Sequence, residues 1–150
     1  KAVVRLYDSQ EEFEIGKGKE LREGTDVTII ASGIMTAESL KAADVLAEKG
    51  ISARVVDMFT IKPLDKELVL KCAEETGAVV TAENRSMYNG LGSAVCEVLA
   101  ENLPVPVERI GIEDEFGEVG DMEYLKKRFH LTAEDIVKKA EKAIERKSKK

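Results

Sequence analysis

Between Ala78 and Ala100 the hydrophobic period changes from that of a strand to that of a helix within a single short stretch. Val79 and Val80 are β-branched and follow Gly77, whereas Ala94, Val95, Val98 and Leu99 recur at helical spacing. A buried strand, a polar loop and a helix opened by two glycines make a βα unit, which commits the chain to a sheet with helices on its faces. In an open parallel sheet, ligands and partner surfaces meet the carboxyl ends of the strands, where Glu83 and Asn84 fall. The candidate site read from this stretch is Glu83, Asn84, Arg85, Gly90, Gly92 and Ser93, an anion or partner-contact site.

Gly90 and Gly92 also match the first two glycines of a G-x-G-x-x-G dinucleotide fingerprint, in which helix N-terminal amides bind phosphate. The third position is Val95. Asn84 to Asn89 also separate the strand from the first glycine, which in the fingerprint turns the chain directly off the strand. Close approach of a helix to a neighbouring backbone is the better reading of the two glycines.

The flanking sequence repeats the alternation of strand and helix. Asp26 to Ser32 is a near-continuous β-branched run, as expected of a strand covered on both faces. Thr36 is the expected N-cap of a following helix whose inner face is Leu40, Ala43, Leu46 and Ala47, with Gly50 as its stop. Ile51 to Met58 reads as the second strand, and Asp65 caps a helix carrying Leu68, Val69, Cys72 and Ala73 that stops at Gly77. Val107 to Ile112 is a fourth strand, bounded by Pro104 and Pro106 and placed near a sheet edge. Asp121 is the expected cap of a short helix with Met122, Leu125 and Phe129 inward, and His130 ends that helix. Thr132 with Asp135 forms a near capping box for a last helix that buries Ile136, Val137, Ala140, Ala143 and Ile144.

Ahead of the first core strand, residues 1–24 read as an N-terminal arm and linker, with Ala2 to Tyr7 extended and a short extended piece at Glu14 to Gly16. Residues 25–150 read as the domain: a doubly wound, three-layer α/β/α sandwich with a mostly parallel sheet. A chain that begins at Lys1 instead of methionine is expected to be a piece of a longer one.

Composition narrows the function classes. The net charge is −6, with basic residues gathered at the C-terminus, which argues against nucleic-acid binding. No apolar run approaches the roughly 18 residues of a membrane span, so a cytoplasmic protein without membrane partners is expected. Cys72 and Cys96 have no histidine nearby and read as core hydrophobes, and the acidic stretch Glu113 to Asp121 lacks the register of a calcium loop. A hydrolase reading finds no G-x-S-x-G elbow and no Cys/His pair.

Several segments, in this order, resemble the C-terminal domain of transketolase: Gly24 to Gly33, Thr60 to Asp65, Gly77 to Glu83, Gly90-Leu-Gly-Ser93, Arg109 to Ile112 and Leu131 to Ile136. The same domain closes 1-deoxyxylulose-5-phosphate synthase and the beta subunits of pyruvate dehydrogenase-type enzymes. Phe116 to Gly120 followed by a short helix and Leu131-Thr132 is most similar to transketolase, especially its split form. The resemblance implies a five-stranded mixed sheet, the fifth strand coming from the N-terminal arm or the late chain. It also implies a homodimeric parent enzyme that moves a two-carbon ketol unit between sugar phosphates. Thiamine diphosphate and magnesium would sit between the pyrophosphate- and pyrimidine-binding domains of that parent. This chain would then supply no catalytic, cofactor-binding or metal-binding residue, and its role would be packing or regulation. The sequence departs from the family at Asn84 and Arg85, where an acid and a histidine are frequent, and at His130, where glycine is common. The alternative outside this superfamily is a small phosphate- or nucleotide-binding module that uses the amides at Gly90 to Ser93 and the Arg85 side chain.

Overall fold

The computed structural model describes residues 15–86, 89–112 and 122–149. The arm expected at Ala2 to Tyr7, the acidic stretch Glu113 to Asp121 with its expected cap, and the Arg85 side chain lie outside the described residues.

The described elements are β1 (Gly18–Arg22), β2 (Val27–Ala31), α1 (Met35–Glu48), β3 (Ala53–Met58), α2 (Lys66–Thr76), β4 (Val79–Ser86), α3 (Leu91–Asn102), β5 (Val107–Ile112), α4 (Met122–Arg128) and α5 (Ala133–Ser148). They form one five-stranded sheet in the order β1-β3-β2-β4-β5, with β1 antiparallel to β3 and the other pairings parallel. This is the five-stranded mixed sheet that the resemblance implies, with β1, from the N-terminal arm, as the strand added to the four read from the sequence. β2 is central because every one of its residues is apolar or satisfied, and all five are buried. Val27, Ile29 and Ala31 pack with α1 and α5 on one face, and Ile30 packs with α2 and α3 on the other. Two cores, one on each side of the sheet, account for a strand with no polar face.

The chain leaves β2 through α1 to β3 on one side, then returns through α2 to β4 on the other. The order therefore reverses between β2 and β4, and the carboxyl ends of these two strands form the switch point of the sheet.

Local chemistry fixes several element ends where expected. Asp65 accepts from the Leu68 amide, Gly77 adopts φ 72°, and Thr132 and Asp135 form a reciprocal capping box at the start of α5. His130, at φ 58°, closes α4: its own amide donates to Lys127 O and the Leu131 amide to Lys126 O.

Four expectations need correction. Thr36 is not the cap of α1; the helix begins after Ile34 without a side-chain cap, and the Thr36 hydroxyl donates to Asp57 Oδ1 at 3.2 Å. The inner face of α1 is displaced, with Met35, Ser39 and Ala42 buried and Ala47 exposed. The extended piece is not at Glu14 to Gly16, since Ile15 lies in a turn and is 80% exposed; β1 begins at Gly18, in the stretch read as linker. In α4 the buried residue is Lys126, while Met122, Leu125 and Phe129 are half-buried.

Candidate functional site at the carboxyl edge of the sheet

Glu83 ends the apolar part of β4 and is fully buried. Its side chain faces the α2/α3 side, where Oε1 accepts from the Leu91 amide and Oε2 from the Gly92 amide, both at 2.8 Å. These are the first two amides of α3, which have no partner within the helix. Gly90 adopts an extended conformation that offers no side-chain cap, so the cap comes from the strand instead. A negative side chain at this end also complements the helix dipole. Of the amides expected to be free at Gly90 to Ser93, those of Leu91 and Gly92 are engaged by the chain's own carboxylate, which stands where a phosphate would bind.

Ser93, at the third position of α3, turns back to accept from the Asn89 amide at 3.1 Å and from Arg109 Nη2 at 3.0 Å. Asn89 has φ 61°, left-handed backbone that asparagine tolerates better than most residues. Arg109 comes from β5, so the loop, the helix start and the edge strand are joined through one hydroxyl. Gly92 sits against this junction. A Cβ there would stand 2.7 Å from Arg109 Nε and 2.9 Å from Thr81 Oγ1. Gly92 does stand at a close approach, but what it approaches is not the neighbouring backbone expected: it is the side chains of Thr81 on β4 and Arg109 on β5. Gly92→Val is expected to destabilise by roughly 1 to 3 kcal/mol through overpacking. An unchanged thermal midpoint for that variant would reject the account.

On the opposite face of the same edge, Asn84 is half-buried, with Oδ1 3.2 Å from where a Gly33 Cβ would stand. Gly33 itself has φ 61°, left-handed backbone that glycine adopts most readily. Asp57, at the end of β3, is buried beside Thr36. Ser32 Oγ and Thr81 Oγ1 are buried with no hydrogen-bond partner among the described residues. The site residues thus divide: Glu83, Gly90, Gly92 and Ser93 converge at the start of α3, whereas Asn84 lies beside Gly33 in the turn between β2 and α1. Sequence reasoning missed Asp57, Ser32 and Arg109. The signal for Asp57 was a lone acid inside an otherwise apolar strand, Val55-Val56-Asp57-Met58.

An open cleft of about 440 Å³ runs between the β3–α2 loop and α3, with Ile61 and Leu64 on one wall, Ser93 and Glu97 on the other, and Lys62 and Lys66 at the rim. Neither thiol of the chain is set up for nucleophilic work. Burial pushes both Cys72 and Cys96 above the ordinary thiol value, the charge of Arg54 or Arg109 only partly opposing it.

Residues 16–136 match the family model described as transketolase, C-terminal domain. The chain belongs to the transketolase C-terminal domain family. Among its relatives, a 6-deoxy-6-sulfo-D-fructose transketolase subunit from Clostridium sp. (strain MSTE9) is 55% identical over 97% of this chain and 45% of that protein. A putative transketolase C-terminal section from Methanocaldococcus jannaschii is 47% identical over 89% of this chain and 42% of its own length. A 1-deoxy-D-xylulose-5-phosphate synthase from Syntrophotalea carbinolica is 47% identical, over 89% of this chain but 21% of the synthase. The solved structure titled split gene transketolase, inactive beta4 tetramer, superposes with a TM-score of 0.93 at 50% identity, covering 97% of this chain and 48% of that one. This transketolase C-terminal domain therefore spans less than half the length of these relatives. No helix among the described residues is long and apolar enough to cross a membrane.

Proposed function

We propose that this chain is the C-terminal domain of the C-terminal subunit of a split transketolase, an accessory unit that acts only with its companion domains. The observation that carries the reading is the correspondence of 97% of the chain with 45% of a transketolase subunit at 55% identity. The parent enzyme would move a two-carbon ketol unit between sugar phosphates in the cytoplasm, as a homodimer, with thiamine diphosphate and magnesium bound by the pyrophosphate- and pyrimidine-binding domains. The role of this domain is packing against them. Asn84, Asn89 and Gly90, at the carboxyl edge of the sheet, are the surface we assign to that contact.

On this reading the chain itself does not hold the cofactor. Among the described residues no group of three or more His, Cys, Asp or Glu side chains stands where it could hold a metal ion. Magnesium diphosphate requires converging oxygen ligands. The family takes them from a Gly-Asp-Gly motif and a downstream asparagine, but here Gly120-Asp121 is followed by Met122, and the chain's asparagines, Asn84, Asn89 and Asn102, all lie upstream.

Titration of the chain alone with thiamine diphosphate and magnesium is expected to give no heat and no rise in melting temperature. A ligand bound at 100-fold excess over its dissociation constant would add about 2.7 kcal/mol, an effect no melting curve misses. A clear rise overturns the accessory reading. Adding the companion domains should restore ketol transfer, whereas formation of 1-deoxyxylulose 5-phosphate by that assembly would favour the synthase reading that the relatives also permit. Inorganic phosphate is expected to be silent too, because Glu83 already holds the Leu91 and Gly92 amides.

A further inference from the structure

Helix α4 has seven residues, too few to be stable as a helix without docking, and its one buried residue is a lysine. None of the other helices or strands packs broadly against it. Charge joins it to α1 and to the start of α5. Lys126 Nζ donates to Glu38 Oε2 of α1 at 3.0 Å and lies 2.9 Å from Glu123 Oε1 of its own helix. Glu38 is in turn shared: Oε1 accepts from the Ala133 amide at the start of α5 at 3.0 Å, and Lys41 lies 3.4 Å from Oε2. Burial alone would raise the Glu38 carboxyl and lower the Lys126 ammonium. Hydrogen bonds and charge between them, with Glu123 and Lys41 contributing, reverse both directions, so the carboxyl is held below and the ammonium above its ordinary value. The pair also lines an open polar cleft of about 460 Å³ between α1, α4 and the start of α5, so water reaches its edge.

We propose that α4 is a charge-latched element that detaches from α1 and α5 as a unit, without unfolding the sheet, when the Glu38–Lys126 contact is broken. The apolar cores are built mainly from β2 to β5 and from α1, α2, α3 and α5; no residue of Met122–Arg128 is among them, while Phe129 and Leu131, just beyond α4, pack into the core on the α1/α5 side. Opening α4 as far as Arg128 therefore leaves the strands paired and both apolar cores in place. Low-cost local openings of this kind are seen directly by amide exchange.

Two variants test the latch in the full 150-residue chain. Glu38→Gln keeps an acceptor for the Ala133 amide but removes the charge facing Lys126. Lys126→Met keeps the stem packing and removes the other charge. Hydrogen exchange is read at the Phe129 and Leu131 amides, which close α4, and at Ile30 and Thr81 in the centre of the sheet. In both variants the α4 amides are expected to exchange about tenfold faster or more, while the sheet amides keep their protection. Unchanged α4 protection overturns the proposal, and so does equal loss in α4 and the sheet, which would mean that α4 opens only with the whole domain. Should Glu38→Gln fail to fold, Lys126→Met alone decides between these outcomes.

Discussion

Gly24→Ala is expected to be among the most damaging single-methyl changes in the chain, lowering stability by about 3 kcal/mol or more and the thermal midpoint by roughly 10 °C. Gly24 lies between β1 and β2, where the chain passes over the start of β3. A Cβ there would fall inside the contact radius of the Ala53 carbonyl carbon and the Arg54 amide nitrogen, and 2.7 Å from Ala53 O. These are backbone atoms of a strand paired on both sides, by β1 and by β2, so no rotamer change relieves the overlap. The passage is also fastened. Gly24 O accepts from Arg54 Nε at 3.1 Å, and the Asp26 amide donates to Ser52 O at 2.8 Å while the Ser52 amide donates to Asp26 Oδ2 at 2.7 Å. Relief must therefore come from separating β3 from the crossing, which breaks these bonds together. Thermal unfolding checks it, and an alanine variant melting within about 2 °C of the parent would show that the crossing yields more easily than its hydrogen bonds imply.

What the sequence disclosed and what it withheld divide by the distance over which each decision is made. Asp65, Gly77, Thr132 with Asp135, and His130 act on amides and carbonyls a few residues away, and all four stop or start helices as read. The β-branched run at Val27–Ala31 announces burial on both faces whatever lies opposite. By contrast, β1 is a strand only because β3 offers an edge, and its polar Lys19 and Glu20 are what an edge strand carries and what a linker carries equally. The Thr36 hydroxyl serves Asp57, 21 residues on, instead of its own helix. Lys126 is buried because Glu38, 88 residues earlier in the chain, waits for it. A capping rule or a helical wheel has no access to such partners. The candidate site shows the same division: the strand end and the two glycines were legible from local pattern, but that Glu83 would consume the very amides a ligand would need was not.

Glu83→Ala is expected to cost about 3 kcal/mol or more, although the sequence places the residue in a candidate anion or partner-contact site. The cost has three parts. Two amides, those of Leu91 and Gly92, lose their only acceptor in a place where both residues are buried, and a buried donor left without a partner costs about 1 to 3 kcal/mol. The negative end that faced the helix dipole is removed, worth roughly 0.3 to 1 kcal/mol near the surface and up to about 2 when partly buried. Truncation also leaves a void beside Leu91, itself a fully buried anchor of α3 in the core that contains Val95 and Leu99. Glu83→Gln separates these parts. The amide fills the same volume and keeps one oxygen for either Leu91 or Gly92, but presents N–H to the other, so about half the loss is expected. Urea unfolding of both variants measures the difference, and exchange at the Leu91 and Gly92 amides locates it, since protection there should fall before that of β2. A loss below about 1 kcal/mol for alanine would mean that water replaces the carboxylate at the helix start without penalty. The amides would then be available to an anion after all, and the phosphate-binding reading would return.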